Sequence, residues 1–132
     1  MKKNFLILGS NGSLGKKIIK ILTSKKNCSF KTIAKQKADF NFDLENFNKL
    51  EKIIKNNNFD YIINCAAFTN LLYCEKNFKK ILKINTKLPV KLSYWSKKYD
   101  YKYVHISTDH IYISQKNIFN SENSKIGWHN KY

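Results

Sequence analysis

Acidic residues are scarce in this 132-residue chain: nine Asp and Glu stand against 25 Lys and Arg, for a formal net charge of +16. Such an excess brings nucleic acid or anionic lipid into consideration as a partner. The basic residues are spread through every segment instead of lying on one stripe, and Asn and Ile are abundant too. That pattern is a compositional bias and argues against nucleic-acid binding as the main role. Cysteine is sparse. Cys28, Cys65 and Cys74 are odd in number and match no metal-ligand spacing, so they read as reduced thiols, with Cys65 buried and no metal site expected. No apolar run reaches the roughly 18 residues of a membrane-spanning helix. The apolar stretch after the first lysines is only about five residues, too short for a signal peptide, so a cytoplasmic protein with no membrane partner is expected. Proline occurs once, at Pro89, and glycine four times, three of them close together.

Those three glycines carry the strongest signal. Phe5, Leu6, Ile7 and Leu8 form a short apolar run, the pattern of a strand buried on both faces. Gly9, Gly12 and Gly15 follow at three-residue spacing, and Leu14, Ile18, Ile21 and Leu22 then recur on one helical face. A strand, a glycine turn and a helix in that order can form a phosphate cradle, or a tight turn with no ligand. The turn lets a pyrophosphate approach the backbone, and the helix N-terminus offers free N–H groups and a positive dipole end.

Further strands and helices alternate along the chain. Phe30 to Ala34 reads as a second strand, Asp43 to Asn56 as a helix, and Tyr61 to Ile63 as a strand that runs into Asn64, Cys65, Ala66 and Ala67. Small residues there let a ligand lie against the backbone. A short helix is expected within Tyr73 to Leu82. A longer one carries Ile84, Leu88, Leu92 and Trp95, with Pro89 near its start. Tyr103 to Ile106 forms a last strand that opens into Ser107, Thr108 and Asp109, and Ser114 to Tyr132 reads as irregular, with Trp128 and Tyr132 as anchors. The alternation predicts an α/β fold, a doubly wound parallel sheet in one domain over residues 1–132. The glycine turn, Ala66–Ala67 and Ser107–Thr108 should share one sheet edge. About twenty residues past the glycines, where an acid would meet a free ribose 2′-hydroxyl, stand Lys35, Gln36 and Lys37. A lysine there can neutralise a 2′-phosphate, which favours NADP(H) over NAD(H), although two solvated lysines fit the pattern equally well. A hydroxyl at Ser107–Thr108 can hydrogen-bond a substrate carbonyl, although Ser-Thr-Asp after a strand is more often a helix or turn cap.

Taken together, these stretches resemble the N-terminal part of an extended short-chain dehydrogenase/reductase, in particular the dTDP-4-dehydrorhamnose reductase branch. The resemblance rests on Ile7–Gly15, Phe59–Thr69, the Ile84–Asn85 pair, His105–Asp109, and Glu122 with Asn130 and Tyr132. It implies a Rossmann-type NAD(P)-binding fold and an oxidoreductase that reduces a 4-keto nucleotide sugar, as in dTDP-rhamnose biosynthesis. It also implies NADP(H) or NAD(H) as cofactor and a homodimer as a candidate assembly. Gly9, Asn11, Gly12, Ser13, Leu14 and Gly15 would hold the pyrophosphate. Asp43 and Leu44 would flank the adenine, Cys65, Ala66 and Ala67 would line the cofactor, and Thr69 would sit near its ribose. Asn85 would support the site, Thr108 would be the catalytic hydroxyl and Tyr132 the catalytic tyrosine. Leu71 and Leu72 depart from the family, which carries an acid near them. The family's lysine falls four residues after the tyrosine. The resemblance therefore implies a C-terminally truncated chain, without its substrate domain and inactive by itself. A nucleotide-sugar epimerase or dehydratase, and a non-catalytic cofactor-binding module, share nearly all of these residues.

Overall fold

In the structure, a computed structural model, residues 1–113 and 119–127 are described. Five strands, β1 (Lys3–Leu8), β2 (Cys28–Ala34), β3 (Phe40–Asn41), β4 (Tyr61–Asn64) and β5 (Lys102–His105), form one sheet in the order β3-β2-β1-β4-β5. Every pairing is parallel; Leu8 on the central strand lies beside Ile33 of β2 and Asn64 of β4. The chain builds outward from β1 to β2 and β3, then crosses back to β4 on the other side. The strand order therefore reverses between β1 and β4, and in open α/β sheets ligands bind outside the strand ends at that point.

Parallel strands need crossovers, and the helices supply them on both faces. Helix α1 (Ser13–Thr23) packs on β1 and β2. On the other face, Leu6, Leu8, Ile33 and Ile62 form a core with Leu50 and Ile54 of α2 (Phe47–Lys55). Leu88, Leu92 and Trp95 of α5 (Leu88–Lys98) join the same core. Ile7, equally inaccessible, alternates to the α1 side. Each fully buried Leu or Ile contributes about 1.5–3 kcal/mol. The doubly wound parallel sheet expected from the alternation is thus the observed fold.

Local boundaries differ from the sequence reading. Strand β2 begins at Cys28, not Phe30, because Lys3 and Asn4 of β1 continue the ladder to Cys28 and Ser29. The helix expected from Asp43 begins at Phe47. Asp43 forms a turn instead, with Oδ1 accepting the Glu45 N–H at 3.1 Å, and Asn46 caps α2 by accepting the Lys49 N–H at 3.0 Å. The helix read within Tyr73–Leu82 is two, α3 (Leu71–Lys76) and α4 (Phe78–Ile81), with Asn77 between them. A π-helical turn, Leu82–Lys87, then joins α4 to α5, and Pro89 sits in the first turn of α5. In the tail, Tyr112 pairs antiparallel with Ile126. Trp128 and Tyr132 lie outside the described residues.

Candidate functional site

The turn after β1 is held against β2: the N–H groups of Gly9 and Ser10 donate to the Ile33 carbonyl at 3.0 and 3.3 Å. Gly9 has φ +74°, and a Cβ there would stand 2.8 Å from the Ala66 nitrogen. The end of β1 and the start of the loop after β4 therefore touch across the switch point. At Gly15 a Cβ would stand 2.5 Å from the Gly9 carbonyl, so Gly15 serves the close approach of α1 to the turn. Gly12 is different. It precedes α1 with an ordinary φ of −68°, and an added Cβ would meet only the Gly9 carbonyl, at 3.3 Å. The Lys16 N–H bonds back to the Gly12 carbonyl at 3.0 Å. The N–H groups of Ser13, Leu14 and Gly15, ahead of that first bond, have no backbone partner among the described residues, as at any helix start.

A groove of about 350 Å³ lies beside this turn. Its walls include Gly9, Asn11 and Gly12 of the turn, Lys35 after β2, Asp43 and Leu44, and Cys65, Ala66 and Ala67 after β4. All nine are site candidates in the sequence. Ala34, Gln36, Phe42, Phe68 and Ile84, not among those candidates, also line the groove. Phe42 adjoins Asp43 and Leu44 in sequence and Gln36 adjoins Lys35, so neighbourhood was the available signal. Phe68 likewise lies between Ala67 and Thr69, and Ile84 precedes Asn85. Ser13, Leu14 and Gly15 are not among the groove's lining residues, and Thr69 belongs to a shallow depression beyond Phe68.

Several bonds fix these walls. Asn11 Nδ2 donates to the Gln36 carbonyl at 2.7 Å, tying the glycine turn to the loop after β2. Lys35 Nζ meets Asp43 Oδ2 at 2.9 Å. Hydrogen bonding to Asp43 raises the Lys35 pKa above its ordinary value. Burial works against the Asp43 carboxylate, but Lys35 and the Glu45 N–H outweigh it and hold its pKa below the usual range. Asn85 accepts from the Phe68 N–H and donates to the Phe68 carbonyl, both at 2.9 Å. It holds the wall through its backbone.

Cys65, expected to be buried, is only half-buried and faces the groove; Cys74 is the fully buried one. All three cysteines are free thiols. Burial raises the Cys65 pKa, which keeps it a thiol and a weak nucleophile.

A second cavity of about 240 Å³ shares the Ala66–Ala67 wall with the groove and is lined by Asn85, His105, Ile106, Ser107, Thr108 and Ile111. The structure thus brings Thr108 and Asn85 to the far side of the wall whose near side faces Gly9 and Gly12. Burial lowers the His105 pKa, so its ring is neutral at pH 7. Among the described residues, no group of His, Cys, Asp and Glu could hold a metal, and no helix is long and apolar enough to cross a membrane.

The geometry has close counterparts. A crystal structure of a hypothetical dTDP-4-dehydrorhamnose reductase from Sulfolobus tokodaii matches with TM-score 0.85 and 29% identity, over 100% of this chain and 48% of that one. A dTDP-4-dehydrorhamnose reductase from Clostridium acetobutylicum matches with TM-score 0.86 and 28% identity, over 98% and 44%. A probable low-salt glycan biosynthesis reductase, Agl14, from Haloferax volcanii is 22% identical over 121 residues, which are 88% of this chain and 40% of that protein. The chain thus spans less than half the length of these relatives. The model of one protein family, described as the RmlD substrate binding domain, matches residues 2–132. The parallel sheet, the glycine turn at its switch point and that match over almost every residue lead to one conclusion: the chain belongs to the RmlD substrate binding domain family.

Proposed function

We infer that this chain is the cofactor-binding part of an NAD(P)-dependent reductase acting on a 4-keto nucleotide sugar. One observation carries the reading: the groove running from Gly9 and Gly12 to Asp43 and Leu44 shares its Ala66–Ala67 wall with the cavity that holds Thr108. A dinucleotide laid along the groove would thus have a hydroxyl-bearing cavity at its reactive end.

The residues fit such a group. The bare Gly12 Cα faces the groove where a side chain would project, and the start of α1 supplies N–H donors for a pyrophosphate. Asp43 and Leu44, with Phe42 beside them, would flank the adenine, and Lys35 stands toward the ribose end. When bound, the nicotinamide supplies hydride. Thr108 hydrogen-bonds the sugar carbonyl and polarises it, and Tyr132 gives the proton that the reduced oxygen takes up. The roles of Thr108 and Tyr132 draw on the resemblance. The cofactor reading is supported by a Bacillus anthracis dTDP-4-dehydrorhamnose reductase structure in complex with NADP, which shares the fold at TM-score 0.85.

Fluorescence titration with NADPH tests the reading in the complete natural protein and in its Gly12→Val variant. The expected result is saturable binding to the first and none to the second, both remaining folded by circular dichroism. Equal binding by both overturns it.

A further inference from the structure

We propose that His105 is a substrate-binding donor of the Thr108 cavity, held by Asn64 as a neutral ring whose one N–H, at Nε2, is left to a sugar oxygen. The state of the ring follows from its hydrogen-bond partners. The choice of a sugar oxygen as acceptor rests on the reading of this cavity as the substrate end of a reductase.

Asn64 ends β4, lies beside His105 in the ladder and is 1% exposed. A buried carboxamide has an acceptor end and a donor end to satisfy. The Ala66 N–H can only donate, and it lies 3.1 Å from Oδ1. That bond decides which end of the amide is oxygen, and it leaves Nδ2 facing His105 Nδ1 at 3.5 Å, the long end of hydrogen-bond range. An NH2 group cannot accept, so Nδ1 offers its lone pair and the ring proton sits on Nε2. A proton on both nitrogens would set one N–H against another. Tyr103, two residues back on the same strand face, stacks on the ring with 6.0 Å between centroids and 23° between planes. Asn64 thus fixes the ring at its edge and Tyr103 at its face.

His105 lines the cavity with Thr108, Asn85 and Ala66, and it is not among the residues that line the groove. The Asn64 amide therefore serves the cavity twice, through the Ala66 backbone of its wall and through the His105 ring. With Thr108 assigned to the carbonyl that is reduced, the Nε2–H suits an oxygen elsewhere on the sugar. Such a contact is equally strong before and during hydride transfer, so it contributes to binding and not to the chemical step. No proton is transferred at His105.

The test has a spectroscopic arm and a kinetic arm, both on the complete natural protein. Long-range proton–nitrogen NMR on protein isotope-labelled at histidine should show His105 with Nδ1 bare and Nε2 protonated at neutral pH, its signal being the one lost in His105→Phe. Asn64→Asp keeps an acceptor for the Ala66 N–H and sets a second acceptor at Nδ1, so it should bring a proton to Nδ1. In steady-state assays with NADPH and dTDP-4-dehydrorhamnose, His105→Phe keeps a ring for Tyr103 to stack on. It should raise KM for the sugar about tenfold, the weight of one hydrogen bond, and leave kcat within about twofold. A protonated Nδ1 in the unaltered protein overturns the proposal, even if Asn64→Asp does not fold. A bare Nδ1 in folded Asn64→Asp also overturns it, since Asn64 would not set the ring. An unmoved KM in His105→Phe overturns the binding role and leaves the reductase reading standing. No turnover by the unaltered protein overturns the reductase reading and the binding role together.

Discussion

Both ends of the Asn85 carboxamide engage one residue, Phe68: Oδ1 accepts its N–H and Nδ2 donates to its carbonyl, each at 2.9 Å. The side chain acts as a one-residue strand partner for a loop with no strand beside it. Phe68 in turn lines the groove, and Asn85 lines the cavity behind it. Asn85→Ala should cost about 1–3 kcal/mol, because the Phe68 N–H loses its acceptor and the Phe68 carbonyl is left with only the weak Cys74 thiol donor at 3.5 Å. Asn85→Asp should do no better, since a carboxylate cannot donate to the Phe68 carbonyl. Thermal denaturation measures the cost and amide exchange at Phe68 localises it. Unchanged protection of that N–H in Asn85→Ala would refute the assignment.

The same bond shows where the sequence was and was not informative. Ile84, Leu88, Leu92 and Trp95 were read as one helical face, and all four are buried. The π-helical turn over Leu82–Lys87 was invisible, since it arises with a contact made seventeen residues back at Phe68. Apolar spacing alone extends the helix back through Asn46 to Asp43. Their short polar side chains instead bond the backbone locally and delay the helix to Phe47. The glycine turn was legible because its cause is local. Which glycine faces the groove and which faces packing was not, since that depends on Ala66 and Ser10.

Those surroundings separate the three glycines experimentally. Gly12→Ala should keep the stability of the protein within about 1 kcal/mol, as a single contact of 3.3 Å requires little movement. Gly15→Ala should cost about 1–3 kcal/mol, because its Cβ would overlap the Gly9 carbonyl and the Ser10 backbone. Gly9→Ala adds a left-handed φ to a clash with Ala66 and should cost at least as much. Urea denaturation of the three variants checks the ranking; a Gly12→Ala loss equal to that of Gly15→Ala would contradict it.

Asp39 predicts a pH dependence. Its Oδ2 accepts the Thr32 N–H at 2.9 Å and the Thr32 hydroxyl at 2.7 Å, and Lys31 lies 3.2 Å from Oδ1. Burial opposes the charge, but those donors outweigh it and hold the pKa below the ordinary carboxylate range. A carboxylate depressed in the folded state stabilises above its unfolded pKa of about 3.9, and the contribution fades as pH falls through the folded value. Asp39→Asn should therefore lower Tm at neutral pH, and the gap to the unaltered protein should narrow as pH falls below the unfolded carboxylate pKa of about 3.9. A gap constant with pH would show that the charge on Asp39 plays no part.

Two tyrosines flanking the start of β5 should respond oppositely to loss of their hydroxyls. The Tyr101 hydroxyl donates to the Leu92 carbonyl at 2.6 Å, and the residue is 6% exposed. The Tyr103 hydroxyl is buried as well, yet no partner meets hydrogen-bond geometry among the described residues. Burial pushes its pKa up to about 12, with Asn64 a polar neighbour that tempers the shift, so the phenol stays neutral across the working range. A neutral buried hydroxyl without a partner retains its desolvation cost of about 1–3 kcal/mol. Tyr103→Phe removes that cost and leaves the ring's packing in place, so it should be neutral or stabilising. Tyr101→Phe deletes a short hydrogen bond and should lose about 0.5–1.5 kcal/mol. Paired thermal melts decide the matter. If Tyr103→Phe loses as much stability as Tyr101→Phe, its hydroxyl has a partner in solution.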